Sequence, residues 1–156
     1  MPPLTNPFPS SKLSDVWTTL VQALKTDPVL RSAVRGWCAF DGSDEDLAEP
    51  SEEDCPYLRL EPVQGSGAWY DENSHMITLP IKLTLGVVGA DCTFLFDFWD
   101  ATRAALFTGN TVINALLPFG CVSKTLTVPA VGATTWGEAT GLAGVGTLLL
   151  KIRLDS

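Results

Sequence analysis

Apolar and polar residues alternate from Ile77 to Leu85, where Ile77, Leu79, Ile81, Leu83 and Leu85 are interleaved with Thr78, Lys82 and Thr84. A period of two predicts a strand with one face turned to the core and the other free to meet water or a partner. A short turn, Gly86-Val87-Val88-Gly89-Ala90, follows, and Asp91 stands where a helix cap belongs. Leu95, Phe98, Trp99, Thr102, Ala105 and Leu106 then recur at the helical period, and Gly109-Asn110 supplies the stop. The stretch from Ser74 to Phe107 is therefore a half-buried strand that hands over to an amphipathic helix with an aromatic face.

Upstream, Leu13, Val16, Trp17, Leu20, Val21 and Leu24 form a helical stripe that Ser10 or Ser11 can cap. Asp27 and Pro28 open a second, shorter helix as N-cap and first helical residue, with Val29, Leu30, Ala33, Val34 and Trp37 on its inner face. Tyr57 to Glu61 reads as a short strand closed by Pro62, joined to the Ile77 strand by the long connection Gln64 to Asn73 as an antiparallel pair. Thr111 to Leu117 predicts a short helix, ended by Pro118-Phe119-Gly120. Cys121 to Val131 alternates weakly and contains Pro129, as an edge strand does. Gly132 to Gly144 reads as a Gly/Thr/Ala loop holding Trp136 and Glu138, and Val145 to Leu154 as the last strand. The order predicts an α+β domain: a four-stranded, mainly antiparallel sheet with helices packed on one face. A Pro-rich extended arm occupies residues 1–12, and residues 13–156 form the single domain.

Composition sharpens this picture. A chain of 156 residues is the size of one domain and can bury a core without staples. Its 46% hydrophobic and 18% charged residues, with five Trp, suit a subunit that hides part of its surface against other copies. The sequence has no apolar run of the roughly 18 residues that a membrane-spanning helix needs, and its first residues lack the basic and apolar regions of a signal peptide. A net charge of −8 argues against nucleic-acid binding by charge, which needs clustered Lys and Arg. Much of the negative charge lies in one acidic loop, residues 41–56, which holds Asp41, Asp44, Glu45, Asp46, Glu49, Glu52, Glu53 and Asp54. Like charges and little apolar area predict an exposed, mobile segment. Cys38, Cys55, Cys92 and Cys121 form no C-x-x-C pair and read as reduced, mostly buried cytosolic thiols.

Candidate chemistry is sparse. The single histidine, His75, could join Cys92 and Asp91 as a nucleophile constellation, because Cys92 opens a helix where a thiolate is favoured. A structural cysteine and a surface histidine is the plainer account. Asp41-Gly42-Ser43-Asp44-Glu45-Asp46 partly follows a calcium loop but lacks its alternate ligands and closing Glu, so a solvated acidic loop is expected. No ligand spacing for zinc is present, and the Gly141 to Gly146 glycines read as a flexible hairpin arm, not a phosphate cradle. No enzymatic activity, metal or cofactor is expected. The better candidates are contact residues. Trp69, Tyr70 and Trp136 lie in Gly-bearing segments outside any core stripe, where they can fold back on the core or anchor another chain. Asp44, Glu45 and Asp46 of the acidic loop complete the set of candidate interface residues.

The helix from Val16 to Leu30, the strand Pro56-Tyr57-Leu58-Arg59-Leu60, the strand Ile77 to Leu85 running into a helix at Asp91 to Phe107, and the terminal strand Leu148 to Leu154 together give an order of elements that resembles one family. This is the tail terminator, or tail completion, family of long-tailed bacteriophages, found also in prophages and gene transfer agents. The resemblance spans Leu13 to Leu154 and implies an α+β subunit of a homohexameric ring in the virion, assembled in the host cytoplasm. Such a ring caps the tail tube protein, stops tube elongation and meets the head–tail connector protein, while DNA passes through its channel without specific binding. An acidic wall suits such a channel because it repels DNA. Other neck proteins of the head–tail joint share much of this order of elements.

Overall fold

The computed structural model describes residues 5–63, 67–69, 75–89, 91–107, 121–136 and 138–153, with only the backbone described at 67–69, 75 and 121–123. Residues 5–10 are exposed and form no helix or strand, with a bend at Phe8 whose N–H donates to Asn6 Oδ1 at 3.0 Å. Helix α1 (Lys12–Thr26) begins where the Ser11 hydroxyl accepts the Ser14 N–H at 3.1 Å. It turns Val16, Leu20, Val21 and Leu24 inward, each at most 3% exposed. Asp27 then serves two helices. Its N–H donates to Leu24 O at 3.3 Å and closes α1, while its carboxylate accepts the Leu30 N–H at 3.1 Å and opens α2 (Pro28–Ala33). Asp27→Ala is expected to cost about 1 kcal/mol, read as a lower urea midpoint at unchanged slope; an unshifted midpoint would refute the capping role.

Trp37 does not continue α2. Val34 is already extended, and Gly36–Cys38 forms strand β1. Glycine is needed at its start, because a Cβ on Gly36 would lie 2.6 Å from Asp54 O. The remaining elements are a 3₁₀ turn (Glu52–Asp54), β2 (Tyr57–Pro62), β3 (Gly67–Trp69), β4 (His75–Val88), α3 (Cys92–Phe107), β5 (Cys121–Leu126), β6 (Ala130–Trp136) and β7 (Ala139–Arg153).

Among the described residues the sheet has seven strands, not the four expected from the sequence, and it is mixed: β1 runs parallel to β2, and every other strand pair is antiparallel. Its spine is the long ladder between β4 and β7, from Met76↔Arg153 to Val88↔Gly141. Two shorter strands flank each spine strand end to end. On β4 these are β3 at residues 75–77 and β2 at residues 81–86; on β7 they are β5 at residues 148–152 and β6 at residues 139–145. A cut across either half therefore meets four antiparallel strands, and one half adds β1. Pro80 is tolerated inside β4 because its carbonyl, and hence its missing N–H, faces the break between β3 and β2, where Val63 N–H donates to Pro80 O at 3.0 Å.

Two further expectations are corrected. The Gly86 to Ala90 turn starts later, since β4 runs on to Val88 and the chain reverses at Gly89, whose φ is +91°. The Gly132 to Gly144 segment is not a loop but most of the β6–β7 hairpin, so the Gly141 to Gly146 glycines are paired in the sheet. The helix expected at Thr111 to Leu117 lies outside the described residues.

The three helices among the described residues cover one face of the sheet, as expected. Ile81, Leu83, Leu85 and Val87 of β4, Leu58 and Leu60 of β2, and Leu142, Leu148, Leu150 and Ile152 of β7 join the helical stripes in one buried cluster. Across the spine, Leu83 faces Gly146 and Leu85 faces Gly144. A Cβ at Gly144 would lie 3.1 Å from Leu95 Cδ2 of α3, so the small residue lets the helix settle onto the sheet. Asp91 accepts the Thr93 N–H at 2.9 Å at the start of α3. At its far end Lys124 Nζ donates to Leu106 O and lies 4.5 Å from the Phe107 ring centre, a cation placed at a helix C-terminus.

Candidate functional site

Among the described residues no helix covers the second face of the sheet. Alternation along the strands puts Tyr57, Arg59 and Glu61 of β2, Thr78, Lys82, Thr84 and Gly86 of β4, and Gly141, Val145, Leu149, Lys151 and Arg153 of β7 on this face. At the Gly141 end, Tyr57 and Trp136 meet edge to face with ring centres 6.2 Å apart. They start from strands separated by the whole spine. Glycines make the meeting possible, because a Cβ on Gly86 would overlap the Tyr57 ring and one on Gly141 would overlap Val87 O and the Trp136 ring. Tyr57 is buried and Trp136 half-buried. Beside Trp136, the residues Glu49 to Glu53 wall a shallow depression. At the opposite end of the face Lys151 and Arg153 are exposed, with Lys82 exposed nearer the middle. Arg59 and Glu61, two apart on β2, form an ion pair at 2.7 Å.

The acidic segment is anchored, contrary to its expected mobility. Lys25 of α1 reaches into it, with its ammonium 2.7 Å from Asp41 and 3.3 Å from Glu45, and lies 5.9 Å from the Trp37 ring centre. The Asp46 carboxylate accepts the N–H groups of Ala39 at 2.6 Å and Phe40 at 3.1 Å, which fixes Phe40 at a φ of +49°. Leu47 N–H donates to Trp37 O at 2.9 Å, and Asp54 accepts the Ser51 N–H at 2.8 Å. Repulsion between like charges is thus offset by a cation and by backbone donors supplied from α1, β1 and the loop itself.

Burial pushes the Asp41 carboxyl up, but hydrogen bonds from the Lys25 ammonium and from the Ser43 N–H and hydroxyl prevail and hold it at about 2. Burial lowers the Lys25 ammonium, and the two carboxylates more than reverse this, so it is raised. A carboxyl whose folded value lies below its ordinary 3.8 stabilises the fold above that value and loses the contribution as pH falls toward about 2. The loss over this window is expected to be roughly 1–2 kcal/mol after allowance for solvent screening. Thermal melts between about pH 5 and pH 2 should show it, and Lys25→Met should flatten that part of the profile; parallel profiles would rule the pair out as its source.

The candidate contact residues separate. Trp136 comes together with Tyr57 and the Glu49–Glu53 wall. Trp69 is in strand β3, where its backbone pairs with His75, and not in a loop; Tyr70 lies outside the described residues. Glu45 is held by Lys25 and Asp46 by backbone donors, while Asp44 is exposed at a turn. Tyr57 was hidden in the sequence by its strand context. Its outward position follows from Leu58 and Leu60 pointing inward, but only the glycines on β4 and β7 bring it to Trp136.

The Cys92–His75–Asp91 constellation is not assembled. His75 begins β4 and Cys92 follows its other end, and a strand of that length spans about 40 Å. Cys92 is exposed, whereas Cys38 and Cys55 are buried. Burial, and then the neighbouring Asp54 and Glu52, push the Cys55 thiol up to about 11. Among the described residues no group of three or more His, Cys, Asp or Glu side chains is arranged to hold a metal ion. In the acidic segment Asp41, Asp46 and Asp54 are already engaged as acceptors.

The fold and this face define a mixed-sheet α+β domain with one helix-covered face and one open face. No protein-family model matches the sequence, and no curated protein matches it. Among solved structures, a chain from the "virion of native gene transfer agent (GTA) particle" is similar, with a TM-score of 0.50 at 12% sequence identity. The match covers 92% of this chain and 99% of that one, and what the two share is the fold.

Proposed function

We propose that this chain is a structural virion protein of a phage-like particle, and specifically a tail terminator: a ring subunit that caps the tail tube, stops its elongation and joins it to the head connector. The observation that carries the reading is the end-to-end fold likeness to a chain of a gene transfer agent virion, 92% of this chain on 99% of that one. The order of elements that resembles the tail terminator family points the same way. So does the open sheet face, where an aromatic pair and separated acidic and basic groups suit contact with other chains better than transformation of a small substrate. The ring is taken to be a homohexamer, with the tail tube and connector proteins as its partners and DNA passing through without specific binding. The role is not enzymatic.

Removing the gene from a particle-producing strain tests the reading. Electron microscopy is expected to show tubes of uncontrolled length that carry no heads, with complementation restoring tails of one length. Headed particles of normal tail length would refute it. Normal-length tubes without heads would instead place the chain among the other neck proteins. A thiol enzyme using Cys92 would require that Cys92 react with iodoacetamide at neutral pH faster than an exposed cysteine in a peptide; an ordinary rate is expected.

A further inference from the structure

In a chain of net charge −8, the open face of the sheet carries a cationic end. Lys82, Lys151 and Arg153 point outward from β4 and β7, all exposed, and none is in an ion pair among the described residues. The other end of the same face is acidic, where Glu49, Glu52 and Glu53 surround the half-buried Trp136, again without ion pairs among the described residues. From Gly141, beside Trp136, to Arg153 the strand spans about 40 Å. Between the ends lie the exposed Val145 and the partly buried Leu149. The middle is mixed, with Lys82, Thr84 and the Arg59–Glu61 pair beside these two apolar residues, and opposite charges at the two ends of one face suit a protein contact.

We propose that this face is where copies of the chain meet, the Lys151–Arg153 end of one copy docking on the Glu49–Glu53 and Trp136 end of the next. A two-fold dimer would satisfy both ends at once; in a ring the contact is instead heterologous, each copy using its two ends on two different neighbours, and repetition closes when the rotation allows. Charge complementarity identifies the occupant. A nucleic acid fits less well: Lys82 and Lys151 stand four ladder positions apart, about 13 Å, and the acidic end of the same face would repel phosphates. The inference rests on the reading of the chain as a ring subunit and specifies its contact.

The test uses two exposed-surface variants of the full chain, Lys151→Glu with Arg153→Glu and Glu52→Lys with Glu53→Lys, followed by sedimentation velocity at low salt. Each variant should keep the wild-type melting temperature to within a few degrees. Each alone should associate at least about a hundredfold more weakly than wild type, because like charges then face each other. An equimolar mixture should assemble again, since each end then meets an opposite charge. Variants that assemble as wild type, or a mixture that stays apart, would overturn the contact. Binding of a duplex DNA probe that is lost in the first variant while assembly persists would do so too, by assigning the patch to a polyanion. Rings unaffected by the charges would leave the ring reading standing without this contact. Open chains, or a simple dimer, that obey the charge swap would leave the contact standing without the ring. A wild-type chain that never associates would remove both.

Discussion

Leu83→Ala is expected to destabilise the fold by about 3–4 kcal/mol, while Lys82→Ala beside it changes stability by less than about 0.5 kcal/mol. Leu83 is 1% exposed in the buried cluster beneath the helices, and Lys82 is exposed on the open face. Across the spine Leu83 faces Gly146, which has no side chain to relax into the space. The cavity term should therefore be felt in full. Urea unfolding of the two variants measures it, and similar losses at both positions would mean that the strand does not separate a buried face from an open one.

Gly86→Ala is expected to cost about 1–3 kcal/mol, although alanine has the higher strand propensity. The added methyl would overlap the Tyr57 ring and push it from its contact with Trp136. The penalty therefore belongs to the pair of positions. In a Tyr57→Ala background Gly86→Ala should be close to neutral, a coupling well above the few tenths of a kcal/mol by which independent sites fail to add. Additive losses would show that the glycine is required for some reason other than the ring above it. The same cycle with Trp136→Ala should give a smaller coupling, because the three atoms nearest the added methyl all belong to Tyr57.

What could be read from the sequence follows the strength of each local signal. Both opening helices were legible, since Ser11, Asp27 and Pro28 are caps with direct backbone partners and the leucine stripes repeat at one period. Ile77 to Leu85 announced β4 because a strand with one covered face must alternate. The β6–β7 hairpin was not legible. Its glycines looked like a loop, yet Gly144 admits Leu95 of α3 and Gly141 admits Trp136, contacts with residues far away in sequence. Trp37 failed for a similar reason: its apolar spacing continued α2, but the backbone of β2 offered a parallel partner that a six-residue helix could not outweigh. The anchoring of the acidic segment was not legible because its counter-charge, Lys25, lies on α1, and only the fold brings it to Asp41 and Glu45. The candidate site was visible only as isolated loop aromatics; their convergence depends on strand order, which local patterns do not encode.

Among the described residues nothing covers the open face, and assembly is what would give that surface a purpose. Native mass spectrometry of the purified full chain, across a dilution series at low salt, tests this most directly. A single discrete oligomer that dissociates as salt rises is the expected result, because charge contacts at the rim of an interface are screened. A chain that stays monomeric at the highest concentration and lowest salt reached would contradict the account.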